Sequence, residues 1–196
     1  MFEQDKFVLT AKSRKGYEKR RSLILAAREI ILNQGLSALT VFEVCDRVGL
    51  KRSSFYTHFA DLDELLGNLA RLTIESVNAK LNARCPRVDS NRFVSTDRLL
   101  CYFDLLEADR DTSTLVYQLI TSLESVRRDY QKLFSDELEY AVAHNHPGIS
   151  GENAPSIARM LCSVSMDFLA QIAAGQNLND DIEFIRRLSK GVYRQA

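Results

Sequence analysis

Three features of the sequence predict an all-α fold. Apolar residues recur at three- and four-residue steps along most of the chain, the period of a helix with one buried face. No segment keeps the apolar–polar alternation of a half-buried strand. The 8 Gly and 3 Pro are few for 196 residues and fall where the helical pattern breaks. This length suits one large domain or two small ones. It also allows about 70% of the unfolded surface to be buried without help from a disulfide or a metal. A hydrophobic fraction of 45% beside 27% charged residues excludes a disordered chain. No stretch approaches the ~18–20 apolar residues of a membrane-spanning helix.

The first helix is expected over about residues 17–34, where Leu23, Ile24, Ala27, Ile30 and Ile31 share a face and Gly35 ends the pattern. Thr40-Val41-Phe42-Glu43 reads as a capping box, in which hydroxyl and carboxylate each satisfy a free backbone N–H. It opens a short helix buried through Val44, Cys45 and Val48 and broken by Gly49. Residues 51–59 read as a third short helix, anchored by Phe55 and Phe59 four positions apart. Asp61-Leu62-Asp63-Glu64 starts a long fourth helix, with carboxylates where the helix dipole favours them. Cys85-Pro86 ends it. Five more helices follow from about residue 91, with breaks near 109–111, 122–125, 144–155 and 175–179.

Charge is unevenly spread. Residues 1–60 hold 11 Lys/Arg against 6 Asp/Glu, and residues 61–196 hold 15 against 20. A basic third on an acidic body points to a polyanion partner for the first part alone. The start of the sequence lacks the apolar core and small-residue cleavage site of a signal peptide, so a cytoplasmic protein with reduced thiols is expected. Cys45, Cys85, Cys101 and Cys162 form no C-x-x-C pair. His144-Asn145-His146, before Pro147-Gly148, is the one metal-like spacing and reads as a polar loop. No metal site, cofactor site or catalytic motif (G-x-S-x-G, H-E-x-x-H or a phosphate loop) is found, so no enzyme is predicted.

Two short helices joined by a glycine turn, after a longer amphipathic helix, make a helix-turn-helix plan. The second helix of such a pair enters the major groove, which is about 12 Å wide and accepts one helix. Arg52, Ser53 and Ser54 are polar and short enough to approach base edges, and Tyr56 and His58 add donors.

Residues 20–66 resemble the DNA-binding region of the TetR family of bacterial transcriptional regulators. The resemblance is carried by Gly35, Thr40-Val41, Val44, Gly49-Leu50 and Phe55-Tyr56-Thr57-His58-Phe59. It implies a chain divided into a basic arm at 1–16, a helix-turn-helix domain at 17–60, and a helical effector-binding and dimerisation domain at 61–196. It implies further that Thr40, Tyr56 and His58 meet the phosphate backbone of a double-stranded operator, while Arg52, Ser53 and Ser54 face bases or nearby phosphates; Thr57 joins the DNA-binding set, as does Lys51, which stands where a Ser is frequent and supplies a charge there. Arg52 is the expected base reader, because arginine on guanine is the commonest specific contact. Many family members carry Lys where this chain has Leu62, so a weaker phosphate contact is expected there. Lys12, Arg14, Lys15, Lys19, Arg20 and Arg21 form a basic stretch that suits either phosphate contact or a solvated tail.

The same resemblance implies a ligand-responsive repressor that acts as a homodimer and binds a small apolar effector. Ile157, Leu161, Val164, Phe168 and Ile172, with Ile182, Ile185, Leu188 and Val192, form two apolar stripes suited to a dimer interface or to the chain's own core. Phe103, Leu106, Tyr117, Ile120, Phe134, Met160 and Met166 are pocket candidates that would serve equally as core. Residues 54–65 and 188–193 are similar to the subgroup that represses unsaturated fatty-acid synthesis, which implies a fatty-acyl effector and lipid genes as targets. The competing expectation is a helical small-molecule carrier or interaction module without DNA binding.

Overall fold

A computed structural model describes residues 14–86, 96–143 and 148–192, with the backbone alone at residues 96, 97, 141 and 188–192. Among the described residues there are nine α-helices, one 3-10 turn and no strand. The helices are α1 (Arg14–Gln34), α2 (Val41–Arg47), α3 (Arg52–Phe55), α4 (Leu62–Arg84), α5 (Thr96–Ala108), α6 (Arg110–Ser122), α7 (Glu124–Ala143), α8 (Ala154–Ala173) and α9 (Asn179–Val192). The contacts divide the chain into two compact units that meet at Leu72 and Thr73, inside α4. The sequence draws its domain boundary between residues 60 and 61. In the structure Leu65, Leu66, Leu69 and Ala70 are buried in the unit that ends at Leu72.

The first unit is built on α1, whose buried face carries Leu23, Ile24, Ala26, Ala27, Ile30 and Ile31. Burial of each large apolar side chain contributes roughly 1.5–3 kcal/mol. Arg14 and Lys15, assigned to the arm by sequence, already lie in this helix; Lys12 lies outside the described residues. Thr40 caps α2, its Oγ1 accepting from the Glu43 N–H at 3.1 Å. The return half of the expected capping box is not made among the described residues.

The turn after α2 is a Schellman motif. The Leu50 N–H donates to the Cys45 carbonyl at 2.9 Å and the Gly49 N–H to the Asp46 carbonyl at 3.1 Å. Gly49 sits at φ +65°, where a side chain would be strained. The third helix is shorter than expected. Thr57 donates through both Oγ1 and its backbone N–H to the Ser54 carbonyl, and the His58 N–H donates to the Phe55 carbonyl. These three-residue steps tighten residues 56–58 into a turn in place of further α-helix.

In the second unit α8 packs on α6 and α7, and α5 packs on α9. The expected breaks appear where local chemistry places them. Asp109 caps α6 through the Thr112 N–H, Pro155 lies in the first turn of α8, and Gly175 follows its end. Arg110 donates to the carbonyls of Ile172 and Gln176, which ties the start of α6 to the end of α8 and the turn after it. Buried Arg98 holds the Cys85 carbonyl, Asn82 and Glu137, so the end of α4, α5 and α7 share one cation.

The core of this unit combines an aromatic cluster with a ring of hydroxyls. Phe103 stacks on Phe168 with centroids 4.2 Å apart, and Phe134 meets both Tyr102 and Tyr130 edge-on. Tyr102 Oη lies 2.5 Å from Tyr130 Oη, which also bonds Ser165 Oγ. Ser165 Oγ closes the ring by donating to Tyr102 Oη at 3.2 Å. One donated and one accepted bond per hydroxyl satisfies all three. Burial raises the Tyr102 phenol above its ordinary pKa and pushes the Tyr130 phenol well above it, so both stay neutral.

Candidate nucleic-acid interface

The α3 segment is organised by two buried rings. Phe55 and Phe59 are 0% and 1% exposed, with centroids 5.6 Å apart. Anchoring on these two turns the polar residues between them outward. Lys51, Arg52, Ser53, Tyr56 and Thr57 are exposed, and Ser54 and His58 are half-buried. Thr40, at the start of α2, is exposed as well. Every sequence-predicted DNA contact therefore has some surface to offer, and Tyr56, at 60% exposure, offers the most ring.

Arg20 departs from expectation. In the sequence it belongs to a basic run that reads as solvated or phosphate-bound. In the structure its side chain is 8% exposed and stands as a strut behind α3. Its guanidinium donates to the His58 carbonyl, pairs with Glu64 at 3.0 Å, and lies over the Phe59 ring at 4.0 Å. Glu64 also accepts from the Ala60 N–H at 2.7 Å, while Asp61 caps α4 by accepting from the Glu64 N–H at 2.8 Å. The Ala60 and Arg20 bonds hold the Glu64 carboxyl below its ordinary pKa. One arginine thus ties α1, the end of the α3 segment and the start of α4 together.

His58 lies beside this strut. Burial, then the charges of Lys19 and Arg20, push its imidazole pKa below the ordinary histidine value. It is neutral near pH 7 and can become a cation when an anion approaches. Leu62 is half-buried in the first turn of α4, between the Asp61 cap and Asp63.

Residues 23–69 match the family model described as bacterial regulatory proteins, tetR family. Over this segment, which spans α2 and α3, the chain matches the DNA-binding region of that family. Among curated relatives, the HTH-type transcriptional activator FasR of Mycolicibacterium smegmatis is 23% identical over 76% of this chain and 70% of its own length. Two solved structures share the fold. The multidrug-binding protein EbrR complexed with imidazole aligns with a TM-score of 0.68 at 21% identity, over 88% of this chain and 93% of its own. The fatty acid degradation regulator FadR from Bacillus halodurans aligns with a TM-score of 0.60 at 16% identity, over 87% and 94%. The segment matched is the N-terminal helix-turn-helix, and the likeness to the solved structures extends through the helical C-terminal region.

The remaining candidates divide by burial. Phe103, Leu106, Ile120 and Phe134 are buried core, and Tyr117 and Met166 are half-buried. Met160 is 60% exposed on α8. Of the interface candidates, Val164 is exposed and Ile157, Leu161 and Ile185 are half-buried. Phe168, Ile172 and Ile182 lie in the chain's own core, the other role the sequence left open for them, at 7%, 3% and 2% exposure. The side chains of Leu188 and Val192, and residues 144–146, lie outside the described residues.

Sequence reasoning missed Phe42, Arg20, Phe184 and the Tyr102–Tyr130–Ser165 ring. Phe42 carried a signal, since it falls off the Val44–Cys45–Val48 face of α2. The hydroxyl ring carried none, because its members lie on three separate helices. All four cysteines are free thiols, with Cys45 and Cys162 buried. No described helix is long and apolar enough to cross a membrane, and the described residues contain no cluster of metal ligands.

Proposed function

We propose that the chain binds a pseudo-palindromic operator as a homodimer through the α3 face, and that a small apolar effector held in the second unit weakens that binding. The observation that carries the DNA contacts is the outward set Thr40, Lys51, Arg52, Ser53, Tyr56 and Thr57 around the buried Phe55 and Phe59. Arg52 reads a base. Thr40, Lys51, Tyr56, Thr57 and His58 meet phosphates, and Ser53 and Ser54 approach either. One short helix reads few base pairs, so two copies related by a twofold axis are needed. Met160, Val164 and Phe184 are large apolar side chains exposed on α8 and α9, and they suit the contact between copies.

An apolar effector agrees with the aromatic core of the second unit. A fatty-acyl chain is the class we favour. Its support is the similarity to the fatty acid degradation regulator FadR and the resemblance of residues 54–65 to a fatty-acid-responsive subgroup. For release, the effector must bind the state unable to grip DNA more tightly than the gripping state. Occupancy of an operator that overlaps a promoter represses transcription, the sign we expect. FasR is named an activator, so a promoter–reporter fusion with and without the chain reads the sign directly. Acting on the chromosome, the protein belongs in the cytoplasm.

The test is fluorescence anisotropy on an operator selected from a random duplex pool, beside a scrambled duplex at fixed salt. Arg52→Ala is expected to relax base preference, and Tyr56→Phe to weaken both duplexes alike. Equal weakening of both by Arg52→Ala would make Arg52 a phosphate contact. Adding a long-chain acyl thioester is expected to release the operator, and unchanged affinity would remove the fatty-acyl reading.

A further inference from the structure

Phe42 is the second residue of α2 and Arg52 the first of α3. The Schellman turn at Gly49 joins the two helices and sets their separation. It leaves the Arg52 guanidinium carbon 4.7 Å from the centroid of the Phe42 ring. Phe42 is 49% exposed, a large apolar side chain at the surface. Burial raises the Cys45 thiol, one turn along α2, and the nearby charge of Arg52 opposes that rise, in keeping with a guanidinium folded back over α2.

A guanidinium stacked on a ring uses its face for the ring and keeps its in-plane N–H groups free. Those in-plane groups form the fork that matches the O6 and N7 acceptors of guanine. We propose that Phe42 is a positioning residue for DNA readout, and that its ring holds Arg52 in the orientation from which it reads a base. The proposal rests on the assignment of Arg52 to base readout. An arginine already held in place loses less freedom when it engages the groove, so discrimination rises. Phe42 itself touches no base in this arrangement.

The experiment compares the full-length wild type with Phe42→Leu, Phe42→Tyr and Arg52→Ala. Each protein selects from a random duplex pool, and operator affinity is followed against salt. Arg52→Ala identifies the base position that Arg52 reads. Phe42→Leu keeps apolar bulk and removes the ring. It is expected to cut preference at that same position by about two- to fivefold while leaving the salt slope unchanged. Phe42→Tyr, which keeps a π face, is expected to restore the preference. Without DNA, the Arg52 side-chain protons should show an upfield ring-current shift that Phe42→Leu abolishes.

Wild-type preference in Phe42→Leu, or an altered preference only at another position, would overturn the proposal. The second result would make Phe42 a direct base contact. If Arg52→Ala leaves every preference intact, the Arg52 assignment falls first and the positioning role falls with it. A missing ring-current shift in the wild type would overturn the proposal too, since the ring would then not be holding Arg52.

Discussion

Replacing Arg20 with alanine isolates the strut behind the recognition segment. The side chain is 8% exposed, so most of its desolvation is already spent in the folded state. Charged hydrogen bonds of the kind it makes to the His58 carbonyl and Glu64 are worth roughly 1.5–3 kcal/mol. The contact with the Phe59 ring at 4.0 Å adds about 1–2 kcal/mol at a desolvated site. Two effects oppose these. The Arg20 Nε is buried without a partner, and its removal recovers on the order of 1 kcal/mol. The Glu64 side chain is 42% exposed and keeps its bond to the Ala60 N–H, so its carboxylate rehydrates instead of standing as a stranded buried charge. The net loss expected is about 2–3 kcal/mol, confined to the first unit. Amide hydrogen exchange reads this best, since a chain of two units need not unfold in one step. Protection at α1, Phe59 and the first turn of α4 should fall together while α8 keeps its own. Arg20→Met, which retains the stem, should lose about half as much. A loss below about 1 kcal/mol, or an equal loss in α8, would refute the strut. So would an operator salt slope reduced by about one, since that is the mark of a lost phosphate contact.

Three further predictions follow from described groups. The imidazole of His58 is held below its ordinary pKa, so the free protein should lose stability as pH falls below about 6.5. A nearby phosphate favours the cation, so operator affinity should rise over the same range, by at most about tenfold per pH unit for one proton; a pH profile left unchanged by His58→Gln would exclude His58 as the linked group. Tyr130→Phe removes one member of the buried hydroxyl ring and should cost about 1–3 kcal/mol in the second unit, read by urea unfolding, with a loss under 0.5 kcal/mol contradicting the bonding described. Val164→Glu with Phe184→Glu places two charges on exposed apolar positions and should yield a monomer in sedimentation; an unchanged mass would move any contact between copies elsewhere.

Local chemistry made much of the fold readable before any coordinates. The Asp109 cap, the Ser122–Glu124 break, the Pro155 start and the Gly175 end each depend on a few adjacent residues, and each lies where the sequence placed it. The Phe55–Phe59 anchor did as much for the outward polar set. Arg20 was misread because its neighbours Lys19 and Arg21 make it look like one more surface cation; its partners lie 38 and 44 residues away. The stripe on α8 misled for another reason. Val164 and Phe168 are four apart on one apolar face, yet one is exposed and the other stacked on Phe103. Which side of a wide apolar stripe meets the core depends on the neighbouring helices, and a helical period carries no record of them.

The closed ring of Tyr102, Tyr130 and Ser165 constrains how this protein can change over generations. Losing any one hydroxyl leaves a remaining buried O–H without its acceptor, whereas losing all three together leaves ordinary apolar packing. Each single step is therefore a valley between two workable cores. Descendants should retain the trio intact or replace it wholesale, and a lineage that needs a different second unit would change its aromatic neighbours before touching these three positions.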